Sequence, residues 1–287
     1  MHKSNFILSC DIGGSHITSA IVDKTSWSLI EETITRTHVN SLENAKSIFS
    51  EWTENMKSCL SKYGEQVTKI GIAAPGPFDY EHGIALMKGQ AKYDSIYKMQ
   101  VTEPIKAGLE DQSIEIKYIN DAAAFLQGEV FAAGFDQENC ILGITLGTGL
   151  GSAVWRKGEK AFDADLWNTP YLDSIFEEYL VTRWFVKRFE ELSGIKEKGL
   201  KDILENHKGS KEVKQLLSEY ALNLIAFLQF FSKKYDCKYF IIGGNITKAW
   251  DLIFPEKSVL NNFKIEIGKY QEHAAIIGAA SLFSNVI

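Results

Sequence analysis

The chain has 287 residues, 45% hydrophobic and 24% charged, the composition of an ordinary soluble globular protein of about two domains. A formal charge of −6 leaves no basic footprint for nucleic acid, and no apolar run approaches the ~18 residues of a membrane span. Cys10, Cys59, Cys140 and Cys237 are scattered without CxxC spacing, which argues against both a zinc site and a disulfide framework.

In chain order, residues 6–10, 17–23 and 28–36 read as strands. The first apolar run leads into Asp11 without a small-residue cleavage pattern, so it reads as a strand and not a signal peptide. With the unpaired cysteines, this predicts a reducing, cytoplasmic setting. Ser41 is placed to cap a helix running to about residue 60, with Glu43 near its first turn. "VTKIGIAAPGPFD" is a strand ending in a Pro-Gly-Pro loop. "IEIKYIN" is a strand that delivers Asn120 and Asp121 to its carboxyl end, and "AAAFLQGEVFAAG" is a helix with Gly134 as its C-cap. "CILGITLGTGLGSAVW" is strand, glycine turn, strand. Residues 170–191 read as helical. Val213, Leu216, Leu217, Tyr220, Leu224, Ile225, Leu228 and Phe231 mark a long amphipathic helix. "KYFIIGGN" is a buried strand opening a helix, and "AAIIGAASLF" is a closing helix of small residues. Strands alternating with helices predict an α/β protein.

"SCDIGGSHITSAIV" and "GITLGTGLGSAVW" share one layout, with Asp11 over Thr145, Gly13 over Gly147 and Ser15 over Gly149. Such an echo predicts two similar lobes facing a common cleft. Backbone N–H groups around each glycine turn can converge on phosphate oxygens, and Ser15 and Thr148 add hydroxyl donors. Neither turn has P-loop or dinucleotide-binding spacing. Gly243 and Gly244 end a strand before a helix; this is either a plain turn or a place where backbone approaches a flat ligand such as a purine.

Asp121 is either a helix N-cap or a general base that takes a proton from an attacking hydroxyl. Asn120 beside it can hold neighbouring hydroxyls. Asp11, at the end of a buried strand, is either a hairpin-turn residue or a carboxylate that holds Mg²⁺ through water.

In their order, "DIGGS", "GIAAPGPFD", "NDAAAFLQGE", "LGTGLGSAV", "IIGGNI" and "AAIIGAA" resemble the ROK-family sugar kinases, within the actin, sugar-kinase and heat-shock-chaperone ATPase superfamily. The resemblance runs from about Phe6 to Ile287. It implies two similar ribonuclease-H-like α/β lobes around a central cleft, residues 1–121 with 272–287 and residues 122–271. It also implies ATP- and Mg²⁺-dependent phosphorylation of a hexose or N-acetylhexosamine hydroxyl, glucokinase-like, by what is often a homodimer. Under it Asp121 is the base, and Asn120 and the Gly76 region hold the sugar. Asp11, Gly13, Gly14, Ser15, Thr148 and Gly149 surround the phosphates and Mg²⁺, and Gly243, Gly244 and Asn245 lie near the adenosine. No helix-turn-helix precedes the first strand, which disfavours the repressor branch.

The departures fall in the sugar pocket. The family's E-x-G-H and cysteine-rich zinc loop are missing, and the nearest matches are Asp165, Asn168 and Glu177. Those acids also fit a solvated cluster with Glu178. The N-x-x-W sugar loop becomes "QAKY", with Gln90 and Tyr93 in those places, and His16 follows "DIGGS" where many members have lysine. Three rivals follow: a polyphosphate-dependent glucokinase, with "TRWFVKR" and "KKYDCK" as local positive stretches; a non-catalytic sugar sensor; and a kinase of a non-sugar polyol.

Overall fold

The computed structural model describes residues 5–64, 66–89, 92–134 and 138–284. They divide into two compact units, one of Met1–Asn139, Trp155–Phe162 and Lys269–Ile287, the other of Cys140–Val154 and Asp163–Gly268.

The first unit opens with the hairpin β1 (Phe6–Ile12) and β2 (His16–Asp23). It continues through β3 (Ser28–Leu29), β4 (Thr35–His38), α1 (Ala45–Tyr63), β5 (Lys69–Ala74), β6 (Phe78–Asp79), β7 (Ile84–Ala85), α2 (Thr102–Leu109), β8 (Glu115–Asn120) and α3 (Asp121–Ala133). Its main sheet has the order β3-β2-β1-β5-β8, with β4 also on β2. β1 and β2 are antiparallel, whereas β5 runs parallel to β1 and β8 parallel to β5. The second unit holds β9 (Cys140–Leu146), β10 (Leu150–Arg156), β11 (Phe162–Asp163), β12 (Pro170–Tyr171), β13 (Ser174–Ile175), α4 (Phe176–Leu180), α5 (Thr182–Ser193), α6 (Leu200–Asn206), α7 (Lys211–Tyr235), β14 (Tyr239–Gly243), α8 (Trp250–Ile253) and β15 (Lys264–Ile267). Its sheet has the order β11-β10-β9-β14-β15, with β14 parallel to both β9 and β15. Each unit therefore sets a glycine hairpin beside two parallel strands, which is the internal echo realised in three dimensions. The chain then returns to the first unit as α9 (Ala274–Ser281).

Packing explains that return. A Cβ on Gly128 of α3 would collide with the Ala274 carbonyl, and one on Gly278 of α9 would collide with the Ala124 carbonyl. The two helices touch backbone to backbone, which only glycine permits. Gly71 of β5 meets the Ala279 carbonyl in the same way. The buried Glu129 carboxylate then accepts N–H bonds from Lys269 (2.9 Å), Tyr270 (2.8 Å) and Gln271 (3.2 Å), pinning the segment that leads into α9. For this reason α3 groups with the first unit.

Local readings shift where distant partners intervene. Asn44 and not Ser41 caps α1, its Oδ1 accepting the Ser47 N–H at 3.1 Å. The Ser41 carbonyl instead accepts the Tyr93 N–H. The expected strand 28–36 is split by a 3-10 turn, Glu31–Thr33, in which the Thr33 hydroxyl accepts the Ile21 N–H at 2.9 Å. The expected helix 170–191 is the hairpin β12–β13 followed by two helices, broken where Val181 is extended (φ −112°, ψ 169°). After β14 comes a 3-10 turn, Asn245–Ala249, before the short α8. Among the described residues, no helix is long and apolar enough to cross a membrane.

Candidate active site

The first unit carries a carboxylate pair. Asp11 sits in β1 opposite Thr18 of β2 and Ala73 of β5. The turn that follows closes with the Gly13 N–H on the His16 carbonyl (2.8 Å). The Ser15 hydroxyl lies 2.9 Å from His16 Nδ1. The turn is also held from behind: the wholly buried Tyr93 donates its hydroxyl to the Gly13 carbonyl at 2.6 Å. Tyr93, standing where the family's sugar loop has Trp, is thus a support for the glycine turn. Gln90 lies outside the described residues.

At the carboxyl end of β8, Asn120 is the cap of α3. Its Oδ1 accepts the Ala122 and Ala123 N–H groups at 2.9 and 3.1 Å. Its Nδ2 donates to the Tyr80 hydroxyl (3.2 Å), which donates to the Ala74 carbonyl (3.1 Å). A Cβ on Gly76 would lie in van der Waals contact with the Tyr80 hydroxyl (3.4 Å) and Asn120 Nδ2 (3.7 Å). Capping therefore falls to Asn120, and Asp121 is the first helical residue, with Oδ1 on its neighbour Ala122 N–H (2.8 Å). Oδ1 is the oxygen bonded to another residue's N–H, and the Asp121 backbone N–H also favours the ionised carboxylate. Asp121 reaches solvent, yet crowding by protein raises its pKa, against smaller lowering by the Ala122 N–H and the Lys92 charge. Burial and the neighbouring Asp121 push Asp11 up to about 7, with Arg36 opposing. Two acids whose environments resist double ionisation titrate as a pair.

The second unit carries the other glycine turn and the polar loop. The Thr182 N–H and hydroxyl both donate to the Gly147 carbonyl, at 2.9 and 3.0 Å. Arg183 donates to the Thr148 carbonyl (3.2 Å) and pairs with Glu177 (2.8 Å) and Glu178 (2.6 Å). Glu177 Oε2 accepts the Leu150 N–H at 3.0 Å and stands 3.4 Å from where a Cβ on Gly149 would be. The Glu177 N–H donates to the Trp167 carbonyl (3.1 Å), and the Trp167 indole donates to Asp165 (2.7 Å), whose backbone is left-handed (φ 50°). Asn168 lies exposed in the same loop. Gly244 has φ 91°, and a Cβ there would collide with the Leu146 backbone, while Gly243 pairs with Thr145 across β9. Asn245 opens the 3-10 turn that follows.

The candidates therefore fall into two groups. Asp11, Gly13, Gly14, Ser15, Gly76, Asn120 and Asp121 belong to the first unit, and Thr148, Gly149, Asp165, Asn168, Glu177, Gly243, Gly244 and Asn245 to the second. Sequence reasoning missed Tyr80, Lys92, Thr182 and Arg183. Only Lys92 and Arg183 carried a signal, as cations inside quoted motifs. Among the described residues, no group of three or more His, Cys, Asp or Glu could hold a metal ion. Asp11 is a hard carboxylate, and no hydrogen bond or ion pair with a described residue engages it. It fits a cation such as Mg²⁺ that keeps most of its water.

The sequence profile of the ROK family matches residues 7–162. The chain belongs to the ROK family. The N-acetyl-D-glucosamine kinase of Mannheimia succiniciproducens is 24% identical over 153 residues, which is 52% of this chain and 45% of that enzyme. The chain thus matches less than half the length of this relative. A ROK family glucokinase from Streptomyces griseus, solved with glucose and AMPPNP, superposes with TM-score 0.75 at 17% identity, over 96% of this chain and 98% of that one. A ROK family transcriptional regulator, a homologue of the E. coli MLC protein, superposes with TM-score 0.72 at 15% identity, over 96% of this chain and 76% of that one. These likenesses establish the actin-like ATPase fold of the sugar kinases, a fold shared with regulators.

Proposed function

We propose that the protein is a sugar kinase that transfers a phosphoryl group from ATP to a hydroxyl of a hexose or N-acetylhexosamine. The observation that carries this reading is Asp121: a carboxylate with a raised pKa, at the start of a helix whose capping is done by Asn120. A raised pKa makes a carboxylate a better acceptor for a hydroxyl proton. Asp121 takes that proton as the oxygen attacks phosphorus. Asn120, with Oδ1 fixed by the helix, offers its Nδ2 and the Tyr80 hydroxyl beside it to sugar hydroxyls. Asp165, Asn168 and Glu177 are the second unit's sugar contacts in this reading. Glu177 can accept only through what its bonds to Leu150 and Arg183 leave open. Thr148 and Gly149 present the hairpin to donor phosphates, and Gly243, Gly244 and Asn245 bring backbone to the nucleoside. Asp11 would hold Mg²⁺, which when bound neutralises charge on the donor phosphates. Little covalent work falls to the protein in such a transfer, so positioning and electrostatics supply the rate.

ATP is preferred to polyphosphate because the stretch "TRWFVKR" is not a free basic groove. Arg183 is paired with Glu177 and Glu178, and Arg188 with Glu191 and Glu219. The match to a regulator and the altered pocket favour a second reading, a sugar sensor without turnover.

The test is donor consumption by the purified chain with Mg²⁺ and a panel of hexoses and N-acetylhexosamines, ATP and polyphosphate side by side. The kinase reading expects sugar-dependent turnover that falls about 10²–10⁴-fold in Asp121→Asn. A sugar that raises Tm without any turnover would replace it with the sensor.

A further inference from the structure

We propose that Lys92 is a catalytic residue of this kinase, its ammonium touching the phosphoryl group in transfer. The inference rests on the kinase reading above. Its starting point is Tyr93, which is locked on three sides. Its N–H donates to the Ser41 carbonyl at 2.7 Å, its hydroxyl donates to the Gly13 carbonyl at 2.6 Å, and its ring packs on Trp52 at 5.5 Å. Its backbone is left-handed (φ 59°). Together these contacts hold residue 92 against the first glycine turn. The Lys92 stem runs along that turn, with Cδ 3.8 Å from where a Cβ on Gly14 would stand. From there its charge acts on Asp121.

The charges around the pair leave Lys92 in a particular position. Asp11 and Asp121 repel one another. Arg36 attracts Asp11 but lies 3.7 Å from Glu272, which opposes it. Lys92 is the cation acting on Asp121, and no ion pair with a described residue engages its ammonium. A phosphoryl group arriving beside two carboxylates adds a third source of negative charge. A fixed ammonium at that point stabilises the charge spread over the equatorial oxygens. In the step itself the sugar oxygen bonds to phosphorus. The bond from phosphorus to the bridging oxygen breaks, its electron pair leaves with ADP, and the hydroxyl proton passes to Asp121.

The experiment compares wild type, Lys92→Met, Lys92→Arg and Asp121→Asn. The readouts are kcat, KM for ATP and for sugar, the pH profile of kcat, and Tm as a check of folding. Lys92→Met should lower kcat about 100-fold with little change in sugar KM. It should also move the acidic limb of the profile to higher pH, because Asp121 loses the cation that favours its ionised form. Lys92→Arg should keep the limb in place and recover part of the rate. An unchanged kcat and limb in Lys92→Met, with Asp121→Asn inactive, would overturn the role of Lys92 and leave the kinase standing. If wild type shows no sugar-dependent turnover, the kinase reading fails, and titration with inorganic phosphate decides Lys92. Weaker binding in Lys92→Met keeps it as a phosphoryl contact, and equal binding removes it.

Discussion

The two glycine hairpins occupy the same place in their sheets and are held in opposite ways. The β1–β2 turn is supported from the core, by the buried hydroxyl of Tyr93, and adjoins two acids whose pKa values burial raises. The β9–β10 turn is supported from the surface, by Thr182 and by Arg183 in a half-exposed network with Glu177 and Glu178. At equivalent positions stand a carboxylate, Asp11, and a hydroxyl, Thr145. A repeated scaffold thus carries a buried carboxylate on one side and a hydroxyl beside a half-exposed ion-pair network on the other. The first should respond to pH and the second to salt.

The largest effect should come at the two equivalent positions, from removing the charge of Asp11 and, for comparison, the hydroxyl of Thr145. Asp11→Asn should lower kcat about 10²–10³-fold, while Thr145→Val should stay within about tenfold. Equal losses would erase the functional difference between the hairpins. The same variant tests the pH side. The folded-state pKa of Asp11, about 7, lies above its ordinary 3.8, so the folded state holds the proton more tightly. That stabilisation is complete below pH 3.8 and is lost as pH rises to about 7. In metal-free buffer Asp11→Asn should therefore melt above wild type at pH 8, and the gap should close toward pH 4. A constant gap would mean that Asp11 ionises normally.

This asymmetry was only half legible in the sequence. The hairpins themselves were, because strand alternation and a glycine turn are local signals. So was the strand that delivers Asn120 and Asp121 to a helix start. What holds each turn was not. Tyr93 reaches Gly13 across 80 positions and Arg183 reaches Thr148 across 35. The basic stretch around Arg183 and Arg188 looked like a free patch because one of its partners, Glu219, lies 31 residues further on. Ser41 was a good cap by type, yet its carbonyl belongs to Tyr93. Glu129 read as one more helical residue, and its role appears only once residues 269–271 return to it from 140 positions away.

Tyr93→Phe should have an intermediate effect. It leaves the ring packing on Trp52 in place and removes one hydrogen bond to a backbone acceptor. The expected cost is about 1–2 kcal/mol of stability, read by denaturant unfolding, with a further fall in kcat if the turn must be held for Lys92 to stay in position. A loss of stability with unchanged kcat would show that the turn keeps its shape without the hydroxyl.

Arg183→Met should be the mildest and the most diagnostic of the surface-held turn. Its pairs are half exposed, so solvent screens them and the stability cost should stay below about 1 kcal/mol. The Thr182 bonds to Gly147 remain, so the hairpin is loosened at Thr148 and not released. The effect should appear in KM for ATP, raised about three- to fivefold, a difference of under 1 kcal/mol. Sugar KM should be unaffected unless Glu177, freed from Arg183, reorients toward the sugar. Raising salt should produce part of the same ATP shift in wild type and little in the variant, because a half-exposed ion pair is what salt weakens. If wild type and variant respond to salt alike, the Arg183 network does not hold the second hairpin, and both turns depend on buried contacts.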